Sequence, residues 1–182
     1  MRYFISIDVN DESVKNNLVN FMDELSGIGD IDTVPPQNLH ITLLFLGERG
    51  GAAREELRAS FIDACEDLDV GEFTCMLSGV GVFPHMNYIE VVWASAEPEK
   101  ELDELHMNFD ERMSGGNEHD FVPHVTVGRV RGVDPGEKQQ LQELIESHPA
   151  DFGAFDVDRV RLKESVSGEG GPTYRDVEVH EL

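Results

Sequence analysis

Apolar and polar positions along this chain follow two rhythms, alternation in pairs and recurrence every three to four residues, and the exchanges between them predict a series of short elements. Residues 2–9 alternate as a strand. Asn10-Asp11 then caps a helix whose apolar stripe is Val14, Leu18, Met22 and Leu25, and Gly27 and Gly29 end it. An extended piece over 31–34 leads through Pro35-Pro36 into a strand that runs to Leu46. Beyond Gly50-Gly51 a second helix places Leu57, Phe61, Cys65 and Leu68 on one face. A strand near 73–77, a turn at 79–84 and a strand over 88–94 complete the first half. The same order then recurs. A helix from Pro98 carries Leu102, Leu105, Phe109 and Met113 and stops at Gly115-Gly116. A strand covers 121–130, and Pro135-Gly136 opens a helix with Leu141, Leu144 and Ile145. Two strands, near 155–162 and 174–179, close the chain. Strand–helix–strand–helix–strand, written twice, predicts an α+β fold. Its two pseudo-symmetric lobes are each a mainly antiparallel sheet with flanking helices, and a groove lies between them. No linker separates the halves, so residues 1–182 read as a single bilobal domain.

The repeat carries chemistry with it. Leu39-His40-Ile41-Thr42-Leu43 and Pro123-His124-Val125-Thr126-Val127 each interleave a His and a Thr with aliphatic residues. On a strand, His and Thr two apart share one face while the aliphatics enter the core. One such tetrapeptide is weak evidence. Two copies, 84 residues apart in a chain of 182, can place two imidazoles and two hydroxyls around one small volume. That set suits acid–base cleavage of a phosphoester. Arg129 lies five residues after His124, on the opposite face of an ideal strand, and reaches the site only if the strand twists or bulges. Tyr174, after Gly170-Gly171, either stacks on a base or packs. His85, His106, His119, His148 and His180 fit no paired pattern and read as surface residues.

Composition narrows the setting. The chain has 14 basic and 37 acidic residues, a net charge of −23 spread along its whole length, which suits a cytoplasm of molar salt where self-repulsion is screened. No apolar run approaches the roughly 18–20 residues of a membrane span. The opening residues are strand-like and not a signal peptide. Two cysteines, Cys65 and Cys75, make neither a disulfide framework nor a metal motif. A cytoplasmic monomer without membrane attachment is expected.

These residues bring a family into view. The chain resembles the 2H phosphoesterases, and among them the RNA 2′,3′-cyclic phosphodiesterases, also called 2′-5′ RNA ligases. The likeness rests on Arg2-Tyr3-Phe4-Ile5-Ser6-Ile7, Asn38-Leu39-His40-Ile41-Thr42-Leu43-Leu44-Phe45-Leu46-Gly47-Glu48, Gly81-Val82-Phe83-Pro84, Val91-Val92-Trp93 and Pro123-His124-Val125-Thr126-Val127-Gly128-Arg129. The resemblance implies hydrolysis of RNA 2′,3′-cyclic phosphate ends, or of a small nucleotide, to 2′-phosphomonoesters without metal or other cofactor. It implies His40 as proton donor, His124 as proton acceptor, and Thr42 and Thr126 as donors to the non-bridging oxygens. A ligase, a 2′-5′ phosphodiesterase and a non-catalytic RNA-end binder are the alternatives that share these residues. A metal hydrolase using the two histidines lacks any His-x-His or His-Glu-x-x-His spacing.

Overall fold

The computed structural model describes residues 1–113 and 120–182. In chain order the elements are β1 (Arg2–Asp8), α1 (Glu12–Ser26), β2 (Asp30–Thr33), β3 (His40–Glu48), α2 (Ala53–Glu66), β4 (Phe73–His85) and β5 (Tyr88–Glu97). They continue with α3 (Glu99–Met113), β6 (His124–Gly132), α4 (Pro135–Ser147), β7 (Asp151–Val157), β8 (Arg159–Gly168) and β9 (Gly171–Glu181). All nine strands join one antiparallel sheet in the order β7-β4-β5-β6-β3-β1-β8-β9, with β2 beside β6. The two motif strands, β3 and β6, are therefore neighbours at the centre. The sheet reads outward from them as β1-β8-β9 on one side and β5-β4-β7 on the other.

Strand alternation divides the sheet into two faces. Tyr3, Ile5, Ile7, Ile41, Leu43, Val125 and Val127 are buried with the helices' Leu18, Phe21, Leu25, Leu102, Leu105 and Phe109 in one core. Phe4, Ser6, Asp8, His40 and Thr42 are left on the other face. Two helix starts are fixed by side chains, the first of them a cap that the sequence predicts. The Asp11 side chain accepts the Val14 N–H at 2.9 Å, and Asp134 and Glu137 form a reciprocal capping box at α4.

The lobes differ from the sequence halves in two respects. The edge of β1 not taken by β3 is filled by β8 from the end of the chain, so the lobe around His40 combines first-half and last-residue strands. The helices cross over as well: α1 packs on β7, β2 and β6, while α3 packs on β3.

Three local expectations need correction. Residues 79–84 are not a turn; β4 runs through them, with register shifts at 77–80 and 83–84, and the chain reverses at Met86-Asn87 instead. Gly79, at φ +93, and Gly81 suggest punctuation but serve a shift in register and a close approach. The single strand expected over 155–162 is two, β7 and β8, which sit far apart in the sheet. His106 and His148 are not surface residues. The first is stacked on Phe121 with centroids 4.2 Å apart, and the second lies against Phe21 and Phe152. Gly115-Gly116 and His119 lie outside the described residues.

Candidate active site

β3 and β6 pair at a single point, Ile41 opposite Val125. In an antiparallel pair this sets His40 beside Thr126 and Thr42 beside His124. The two histidines become diagonal neighbours on one face, with Cβ atoms somewhat less than about 7–8 Å apart. Past this point the strands part, and β2 takes the place beside β6.

Both rings are held the same way. His40 Nδ1 lies 2.6 Å from Asn38 O, and His124 Nδ1 lies 2.6 Å from Val122 O. A carbonyl only accepts, so each Nδ1 carries the hydrogen and each Nε2 is the atom that exchanges protons. The Thr42 hydroxyl lies 3.0 Å from His40 Nε2. Aromatic rings frame each imidazole. Phe4 and Tyr174 flank His40 at 5.1 and 5.4 Å, and Phe83 and Trp93 flank His124 at 5.1 and 5.6 Å.

The electrostatics are less symmetric. Burial pushes His40 down to about 4, the Lys163 charge adds to that, and the Asn38 carbonyl and Asp8 oppose it. Burial also lowers His124, with Arg129 contributing in the same direction. Lys163 is only 6% exposed; its ammonium bonds to Asp8, and Arg161 bridges Asp8 and Asp176. Lys163 and Asp8, the inner pair of this cluster, thus act on His40, whereas Trp93 and Phe83 stand beside His124. The sequence reading missed this cluster. Its trace is the alternation Arg159, Arg161, Lys163 in a chain with 14 basic residues.

Arg129 joins the site because β6 bulges. Val92 faces Gly128 and Trp93 faces Thr126, so Val127 is left over and Arg129, opposite Val91, returns to the face of Thr126. Its charge acts on both His124 and Tyr174. Among the described residues no carboxylate lies within ion-pairing distance of it. β3 bulges at the matching place: Ile5 faces Leu44 and Ser6 faces Thr42, leaving Leu43 over. This brings Phe45, 58% exposed, onto the face of Thr42, opposite Phe4. Sequence reasoning missed Phe45 as well; the apolar doublet Leu43-Leu44 was its only sign. Tyr174 sits edge-on to His40 at 90° and packs on Phe4, reaching the site from β9. Asn38, whose carbonyl orients His40, also donates its side-chain N–H to Pro172 O at 3.2 Å and ties down the β8–β9 hairpin. Among the described residues no three His, Cys, Asp or Glu side chains converge as a metal-binding group, and no helix is long and apolar enough to cross a membrane.

Known proteins share this architecture. A protein from Archaeoglobus fulgidus named RNA 2′,3′-cyclic phosphodiesterase is 35% identical over 185 aligned residues, covering all of both chains. One of the same name from Methanothermobacter thermautotrophicus is 34% identical, covering all of this chain and 99% of its own. Among solved structures, TT0787 of Thermus thermophilus superposes over the full chain and 98% of its own with a TM-score of 0.78 at 27% identity. Escherichia coli LigT in its apo form shares the fold, with a TM-score of 0.75 at 22% identity, over the full chain and 96% of its own. A family model described as the 2′-5′ RNA ligase superfamily matches residues 15–169. With both histidine motifs inside that span and the full-length relatives beside it, the chain belongs to the 2′-5′ RNA ligase superfamily.

Proposed function

We propose that this protein hydrolyses RNA 2′,3′-cyclic phosphate ends to 2′-phosphomonoesters, using His40 and His124 as the acid–base pair. The observation that carries this reading is the diagonal placement of two imidazoles, each with Nδ1 tied to a carbonyl so that Nε2 is the proton-exchanging atom, in a chain whose full-length relatives bear that activity in their names. The anionic ring phosphate binds between the histidines. Neutral His124 Nε2 takes a proton from the attacking water as its oxygen bonds to phosphorus. The P–O3′ bond breaks in line, and protonated His40 Nε2 gives its proton to O3′. Thr42 and Thr126 donate hydrogen bonds to the non-bridging oxygens, and the Arg129 guanidinium balances the charge that builds there. Phe45 offers a ring on which the terminal base stacks, and Tyr174 closes the His40 side. Both proton transfers are supplied by side chains, so EDTA is expected to leave the rate unchanged.

The test is turnover and product analysis on an RNA ending in a 2′,3′-cyclic phosphate. His40→Ala and His124→Ala are each expected to abolish turnover with the fold retained. The double variant should be little worse, because the residues act as a unit. Thr42→Ala and Thr126→Ala should lose on the order of 10²-fold, as for one transition-state hydrogen bond. A near-normal rate in either histidine variant defeats the scheme. A mainly 3′-phosphate product would place the acid beside the other ribose oxygen.

A further inference from the structure

The two central strands bulge at equivalent positions, but the leftover carbonyl is satisfied differently in each. In β6, Val127 O accepts the Val34 backbone N–H at 3.0 Å, just beyond β2. Among the described residues no strand takes the corresponding place beside β3, where β2 has no counterpart. Leu43 O instead accepts from His106 Nδ1 of α3 at 2.7 Å, across 63 residues of chain. Leu43 is 1% exposed, and a buried carbonyl without a donor is unfavourable. The His106 ring is itself fixed, lying nearly parallel to Phe121 at 10°.

We propose that His106 is a positioning residue of the active site: by holding Leu43 O it maintains the bulge that keeps Thr42 and Phe45 on one face. Thr42 and Phe45 are three residues apart, so an unbroken strand would turn one of them into the core. The exposed ring of Phe45 on the catalytic face exists only while the extra residue stays accommodated. The roles of Thr42 and Phe45 toward substrate rest on the function proposed above; the coupling of His106 to their geometry does not.

Two variants separate the ring from the donor. His106→Phe keeps the stack on Phe121 and removes the N–H, whereas His106→Asn keeps an N–H where Nδ1 stood and removes the ring. The first readout needs no turnover: the Thr42 methyl and Phe45 ring resonances of the ligand-free protein. The second is KM and kcat on adenosine 2′,3′-cyclic phosphate. His106→Phe is expected to move both resonances and to raise KM about 10-fold, the scale of a loosened base stack, with a smaller change in kcat. His106→Asn should stay near the parent in both readouts. Unmoved resonances and an unchanged KM in His106→Phe overturn the proposal. Equal impairment of His106→Asn overturns it too, because ring packing and not the hydrogen bond would then be responsible. If the parent fails to turn over the cyclic phosphate, the proposed function falls while the resonances still decide the role of His106.

Discussion

At the scale of single residues, the resting site holds two neutral imidazoles near pH 7, because burial takes His40 to about 4 and lowers His124 as well. Catalysis needs one of them charged. The kcat/KM profile, which reports the free enzyme, is therefore expected to be bell-shaped with its optimum below pH 6.5. A bound phosphate anion favours the imidazolium form, so the kcat bell should lie at higher pH than the kcat/KM bell. Coincident optima would contradict this picture. Lys163→Met removes a charge that opposes protonation of His40, and titration of the His40 ring resonance should then show a higher midpoint. The stability effect carries a definite sign. His40 has a folded value near 4 and an unfolded one near 6.5, so its contribution is complete above pH 6.5 and is lost as pH falls toward 4. The two histidines and two threonines were legible because their motifs repeat. Lys163 and Asp8 were not, since only the pairing of β1 with β8 brings them together.

Among the elements, the strands declared themselves by alternation, and the expectations failed where alternation itself breaks. A bulge adds one residue, and in sequence it leaves only an apolar doublet or a small residue, as in Leu43-Leu44 and Val127-Gly128. Arg129 therefore reaches the face of Thr126 only through the bulge, the condition that the sequence left open. Gly81 misled in the opposite way. It reads as a turn residue but lies in mid-strand opposite Trp93, whose ring occupies the space a Cβ would need. Gly81→Ala is thus expected to displace the indole that borders His124, at a cost of about 1–3 kcal/mol from overpacking. Trp93 is the only tryptophan, so its fluorescence should report the displacement and turnover should fall with it. An unchanged spectrum and rate would show that the strands can part to admit the methyl group.

Over the whole molecule, charge and function oppose each other. A chain at −23 repels RNA and itself, and salt screens both interactions. Activity and thermal stability are expected to climb together from about 0.1 M toward molar KCl, opposite to the usual loss of phosphate binding with salt. The climb should be steeper for long RNA than for a dinucleotide. An activity peak below about 0.2 M with the fold unchanged would contradict this. Composition carried that expectation, and the doubled element order carried the fold class. The order of strands was not legible, because nothing in β1 states that its neighbours are β3 on one side and β8 on the other. That order has a consequence for biosynthesis. Of these nine strands β1 is made first, yet one of its edges waits for β8, and His40 waits for Lys163 of β8 and Tyr174 of β9. Domains generally fold as units as they emerge. Here the His40 half of the site is complete only once β8 and β9 have emerged, so a nascent chain that stops short of them holds His40 without Lys163 and Tyr174 beside it.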